Sequence, residues 1–163
     1  MKILLFTLLI LFPLLGNSSL PLEVSLEQLA KNTDHLLVGR VVGVDMIDPS
    51  GNEILDLSAR TGPGIGNVIR LIIKVDEVII TNASSVPEVL KVPLDPFMHY
   101  TLGQIKEVHR AESIPFLLLL EGEEFVPPFA GTFSRGLSEK ESIMKLIKSN
   151  NLSQQDAASG AAA

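Results

Sequence analysis

The chain has 163 residues, a formal net charge of −6, and neither cysteine nor tryptophan. Such acidity repels phosphate backbones and argues against a nucleic-acid partner; one tyrosine and seven phenylalanines leave few platforms for stacking bases or sugars. Without cysteine there is no disulfide staple and no thiol nucleophile, so the core must hold the fold.

The N-terminus reads as a secretion signal. Lys2 supplies a positive charge, and residues 3–15 form an apolar run too short to span a bilayer comfortably. Small and polar residues follow (Gly16, Asn17, Ser18, Ser19), and cleavage after Ser18 puts Gly16 and Ser18 at the two small positions. No cysteine follows the run, so no lipid anchor is expected. The expected organisation is a signal peptide over 1–18, a single domain over 19–148 and a disordered tail over 149–163. The expected location is secreted or periplasmic, with no stable membrane anchor after cleavage.

The first mature element is a short helix. Ser25 and Gln28 form a capping box, Val24 and Leu29 a hydrophobic staple, and the helix ends near Asn32, Thr33 and Asp34. Residues 36–47 predict a long strand, curved by Gly39 and Gly43, since glycine inside a strand marks a bulge or bend. Residues 48–66 are irregular, with turn chemistry at 48–52, a short strand at Ile54, Leu55 and Leu57, and a glycine loop at 61–66.

A second long strand runs from Val68 to about Ile80. Ile69, Leu71, Ile73 and Val75 share a core face, while Val68, Arg70, Ile72, Lys74 and Asp76 share a mixed one. A third strand over 88–93 is bounded by Pro87 and Pro93, which suit a sheet edge. Residues 94–113 are polar and show no dominant period. A fourth strand over 114–120 is apolar on both faces and therefore buried. The turn at 121–124 returns a hairpin arm at Phe125 and Val126, and Phe129 to Phe133 adds a last short strand. A closing helix starts at Ser138, boxed by Glu141, with an apolar stripe at Ile143, Met144, Leu146 and Ile147.

This order predicts a mostly β (α+β) fold, a small OB-like antiparallel barrel of about five strands with a short N-terminal and a C-terminal helix. The segment Thr33-Asp34-His35-Leu36-Leu37-Val38-Gly39-Arg40-Val41-Val42 resembles the opening strand of a loose group of uncharacterised secreted bacterial proteins. Residues 73–82 match the first half of that group's second strand but lack its Lys-Gly end, and residues 116–120 echo a later strand. The resemblance implies an OB-like, netrin-module-like barrel and brings no catalytic residues with it. The animal relatives of that module include metalloproteinase inhibitors that depend on cysteines, which are missing here.

Several short patterns suggest chemistry, and each has a simpler reading. Ser142-Ile143-Met144-Lys145 has the S-x-x-K spacing of penicillin-binding proteins, but the S-D-N and K-T-G partners are missing, so it reads as helix surface. The glycines at 62, 64 and 66 lead into a strand rather than a helix, unlike a phosphate loop. Residues 45–56 have the length of a calcium loop, but Ile47, Pro49 and Ser50 stand where two ligands and a glycine belong. Asp45, Asp48, Asn52 and Glu53 remain a looser candidate set. His35, His99 and His109 lack a short zinc spacing; His99 and His109 could meet beside Glu107 or Glu112.

No catalytic, cofactor-binding or metal-ligating residue is therefore assigned. The expected function is a non-catalytic binding module for a protein or envelope component. Its binding surface is placed on the 48–66 loop and the 94–112 segment, since loops on a rigid scaffold carry binding. A small metal-assisted hydrolase using His99, His109 and nearby carboxylates is the alternative, and a protease-inhibitor-like module is a third.

Overall fold

The computed structural model describes residues 24–110 and 114–160, with side chains of 151–160 outside the description. The expected signal segment, 1–18, lies outside the described residues. The elements run α1 (Leu26–Lys31), β1 (His35–Ile47), β2 (Val68–Ile80), β3 (Val89–Pro93), α2 (Leu102–Val108), β4 (Phe116–Leu120), β5 (Ser134–Arg135) and α3 (Lys140–Gly160), the last preceded by a 3-10 turn over Leu137–Glu139. Among the described residues no helix is long and apolar enough to cross a membrane.

The five strands form one antiparallel sheet in the order β3-β2-β1-β4-β5. The fold is mostly β, as expected. The pairing leaves β3 and β5 as edges, so the sheet is not closed on itself. It is nevertheless bent: the β1–β2 register shifts at Leu36/Leu37, Val38/Gly39 and Val41/Gly43, where bulges add local twist. Gly39 permits one close contact. A Cβ there would stand 2.8 Å from both the Ile73 Cγ2 and the Lys74 carbonyl oxygen.

Each sheet face carries its own core. On one, Leu37, Val44, Ile69, Ile73, Val92 and Leu118 pack with Leu102 of α2 and with Phe125 and Phe133. On the other, Leu36, Val38, Leu117 and Leu119 meet Leu29 and Ala30 of α1 and Ile143 and Ile147 of α3. β4 lies between β1 and β5 and alternates between the two clusters, with Leu117 to Leu120 all fully buried. This is why its sequence shows no polar face.

α1 is capped as expected: Ser25 Oγ accepts from the Gln28 amide and Gln28 returns the bond to the Ser25 amide. Val24 packs against the helix-side cluster that contains Leu29. A second capping box, Thr101 with Gln104, starts α2 inside the segment that showed no dominant period. The T-x-x-Q signature was present; with only seven residues, α2 is too short for its apolar period to stand out.

Other elements differ from expectation. Ile54, Leu55 and Leu57 form no strand: Glu53 makes an isolated bridge to Ile47, and Leu55 and Leu57 are exposed. Phe125 and Val126 form no hairpin arm. Glu121 and Val126 exchange backbone bonds, and pairing stops where Pro127 offers no N–H. The last strand comes after Phe133, at Ser134–Arg135, because Phe129 and Thr132 close a turn through Gly131, whose φ is +70°. Ser138 lies inside the 3-10 turn instead of capping α3. The helical backbone continues to Gly160, where a disordered tail was expected from Ser149; Leu152, Gln154, Gln155, Ala157 and Ala158 are all good helix formers.

Candidate functional site

The register brings two loops to one end of the sheet. Ile47 pairs with Val68 and Arg70 with Pro93, so β1 leaves, β2 enters and β3 leaves at the same end. The loop over 48–66 and the segment after Pro93 are therefore neighbours, although β2 and β3 separate them in sequence.

Polar side chains fix the first loop locally. The Asp48 carboxylate accepts from the Ser50 and Asn52 amides at 2.8 and 2.9 Å and from Asn52 Nδ2 at 3.0 Å. Asp56 accepts from the Ser58 amide and hydroxyl, both at 2.8 Å. These bonds favour the charged form. The Asn52 side chain, then the Asn52 amide, lower the Asp48 pKa; the Ser58 amide, then its hydroxyl, lower that of Asp56.

Thr61 then joins the two segments. Its hydroxyl donates to the Met98 carbonyl at 2.7 Å and accepts from the Tyr100 amide at 3.2 Å, and its own amide donates to the Tyr100 carbonyl at 3.0 Å. Arg60 bridges Thr101, and the amides of Leu102 and Gly103 donate to Ala59 and Leu57. Thr61 is almost wholly buried by this network.

The result is one surface with an apolar groove of about 430 Å³. Pro49, Pro63, Ile65, Pro96 and Phe97 line it together with the loop glycines. Gly62 (φ +144°) lets His99 approach: a Cβ there would be 2.7 Å from His99 Nδ1. Phe97 is 69% exposed, Met98 47% and Ile65 43%. Apolar side chains left in water and gathered about one groove are the kind of feature that marks an interaction site.

The looser calcium set does not assemble. Asp45 is engaged by Arg70, whose Nε and Nη2 donate at 2.8 and 2.7 Å, with Lys91 at 3.4 Å. Burial opposes the Asp45 charge, and Arg70 and Lys91 more than offset it, so the pKa lies below 3.8. Asn52 turns its amide nitrogen toward Asp48.

The histidines have separate surroundings. His99 packs at Gly62; His109 lines a small pocket with Val41, Leu71, Phe116, Phe133 and Ser134. Burial lowers the His109 pKa from 6.5. His35 is fully buried, with Nδ1 2.8 Å from Thr81 Oγ1 and Nε2 2.9 Å from the Gly122 carbonyl. Since that carbonyl only accepts, Nε2 carries the proton. Among the described residues no three His, Cys, Asp or Glu groups could hold a metal ion together; Glu107 pairs with Arg110, and Glu112 lies outside them. Ser142 and Lys145 are exposed on α3 while Ile143 is buried, as the helix-surface reading has it.

Comparison of the chain with protein-family models, curated proteins and solved structures returned no match.

Proposed function

We propose that the chain is a secreted or periplasmic binding module that engages a protein or envelope component without catalysis, using the joined surface of residues 48–66 and 94–112. One observation carries the reading. Thr61 ties the two segments together from beneath, while Ile65, Phe97 and Met98 stay exposed above. Ordering the loops beforehand reduces the entropy lost on association. Methionine adapts to an irregular partner and phenylalanine supplies contact area. The Asp48 and Asp56 carboxylates are engaged in their own turns, and neither lines the groove.

The test is affinity capture from a native envelope extract, comparing the chain with an Ile65→Ser/Phe97→Ser variant by mass spectrometry. One protein enriched by the wild type and lost in the variant supports the reading. Enrichment indifferent to both substitutions, or turnover of an envelope substrate by the purified chain, overturns it.

A further inference from the structure

The helices cover only part of their sheet face. α1 and α3 pack on the first half of β1, on β4 and on Ile79 and Ile80 at the end of β2, leaving the second half of β1 uncovered together with the first part of β2 and β3. Register places nine positions there in three cross-strand rows: Arg40, Lys74 and Val89; Gly43, Ile72 and Lys91; Asp45, Arg70 and Pro93. Val42, 55% exposed, stands at the bulge beside Gly43, and Val89 is 47% exposed.

The charges on this face do not cancel. Asp45 is held by Arg70 and Asp76 by Arg40 at 2.9 Å. Glu53 adds its field to Arg70 at the loop end. The uncompensated charge therefore sits on the β3 side. Lys74 has no ion pair among the described residues, and Lys91 shares Asp45 with Arg70 at 3.4 Å while its side chain is 54% exposed. A positive strip on a chain of net charge −6 selects for an acidic partner.

The neighbouring edge offers backbone. The Leu94 amide donates to the Ile69 carbonyl and the Val75 amide to the Glu88 carbonyl. In an antiparallel ladder this directs the backbone of even-numbered β3 residues toward β2 and that of Val89 and Lys91 outward. No strand pairs with that outer side among the described residues. Pro87 precedes the open edge and Pro93 ends it, so it has room for a short strand only.

We propose that a short acidic segment of a partner protein adds as a strand to β3. Its main chain bonds the outward groups of Val89 and Lys91, and its carboxylates reach Lys74 and Lys91. Strand addition of this kind takes affinity from backbone bonds and selectivity from alternate side chains. This surface is separate from the loop groove, and the inference does not rest on the loop reading.

The test titrates the full chain, at low salt, with a capped six-residue peptide alternating aspartate and valine, followed by amide chemical shifts. Saturable shifts centred on Val89 to Pro93 are expected. Lys74→Glu/Lys91→Glu should weaken binding by roughly tenfold or more, and so should 0.5 M salt on the unaltered chain, which checks the charge dependence without any substitution. Lys145→Glu on α3 should leave it unchanged. No binding, shifts centred elsewhere, or affinity indifferent to both the lysine substitutions and salt overturns the proposal. Binding of single-stranded DNA or anionic vesicles in place of the peptide also overturns it, in favour of a general polyanion surface.

Discussion

The imidazole of His35, at the start of β1, donates from Nε2 to the carbonyl of Gly122, 87 residues further along the chain. Its other nitrogen meets Thr81 just after β2, and its ring lies 4.4 Å from that of Phe125. Asp34 reinforces the same junction, accepting from the Gly122 amide at 2.8 Å and from Asn82 Nδ2 at 3.0 Å. Two adjacent residues thus tie together the turns that follow β2 and β4. His35→Ala leaves a buried carbonyl without its donor and a hole against Phe125. The expected cost is about 2–4 kcal/mol, read from urea unfolding, with Phe125 among the first amides to lose exchange protection. A loss below about 0.5 kcal/mol would contradict a structural role for this histidine.

Asp45 predicts part of the acid sensitivity. Its folded pKa is lowered, against 3.8 in the unfolded chain. A depressed carboxylate contributes stability above the unfolded value and loses it as pH falls through the folded one. Wild-type stability should therefore drop below pH 3.8. Asp45→Asn should cost about 1–2 kcal/mol at pH 7 and should flatten, without abolishing, the acid slope, because Asp48 and Asp56 are lowered too. Urea titrations between pH 7 and 3 measure both effects. An unchanged slope in the variant would deny the Arg70 pair its part.

His109 acts in another pH window. Burial disfavours its charged form, so the unfolded chain takes up the proton first as pH falls below 6.5. That uptake removes stability between 6.5 and the lowered folded value, and the effect disappears above 6.5. His109→Gln should remove this segment of the stability profile while leaving the Asp45 segment in place. Proton NMR of the His109 ring should show a midpoint below 6.5.

How much of this was legible follows from where each signal lives. β1 and β2 were readable almost to the residue, β1 from its β-branched run and the two glycines that mark the bend, β2 from a long stretch that repeats a period of two. α1 was readable from Ser25 and Gln28, and α2 offered the same signature at Thr101 and Gln104 in a segment whose polar character hid it. The two segments proposed for binding were singled out by their irregularity, but their union was not legible. Thr61 looks like any loop threonine until the β1–β2 and β2–β3 registers put its hydroxyl beside Met98. His35 likewise carries no local sign that its partners lie 46 and 87 residues away.

Gly39 tests the bend directly. A methyl group there would stand 2.8 Å from the Lys74 carbonyl oxygen, which is backbone and cannot rotate aside. Gly39→Ala should cost roughly 1–3 kcal/mol and should shift amide resonances along the β1–β2 ladder. Gly43→Ala is the matched control. The nearest atoms its Cβ would meet belong to the Ile72 side chain, at 3.3 Å and beyond, so the loss should be smaller. Equal losses would mean that the close approach at Gly39 does not set the coil of the sheet.

Thr61→Val separates loop order from loop composition. Valine matches threonine in shape and removes the hydroxyl that donates to Met98 and accepts from Tyr100. The Tyr100 amide keeps its second bond, to the Met98 carbonyl at 3.2 Å, and the Thr61 amide keeps its bond to Tyr100, so the segments should loosen without coming apart. The expected loss is about 1–2 kcal/mol, with faster amide exchange at Tyr100 and Leu102 and little change in β4. Ile65, Phe97 and Met98 are untouched, so the apolar groups of the groove remain. If the surface works because it is ordered beforehand, the captured partner should dissociate faster from this variant while Ile65→Ser/Phe97→Ser abolishes capture. If Thr61→Val binds as well as wild type despite the faster exchange, exposed apolar area alone accounts for binding.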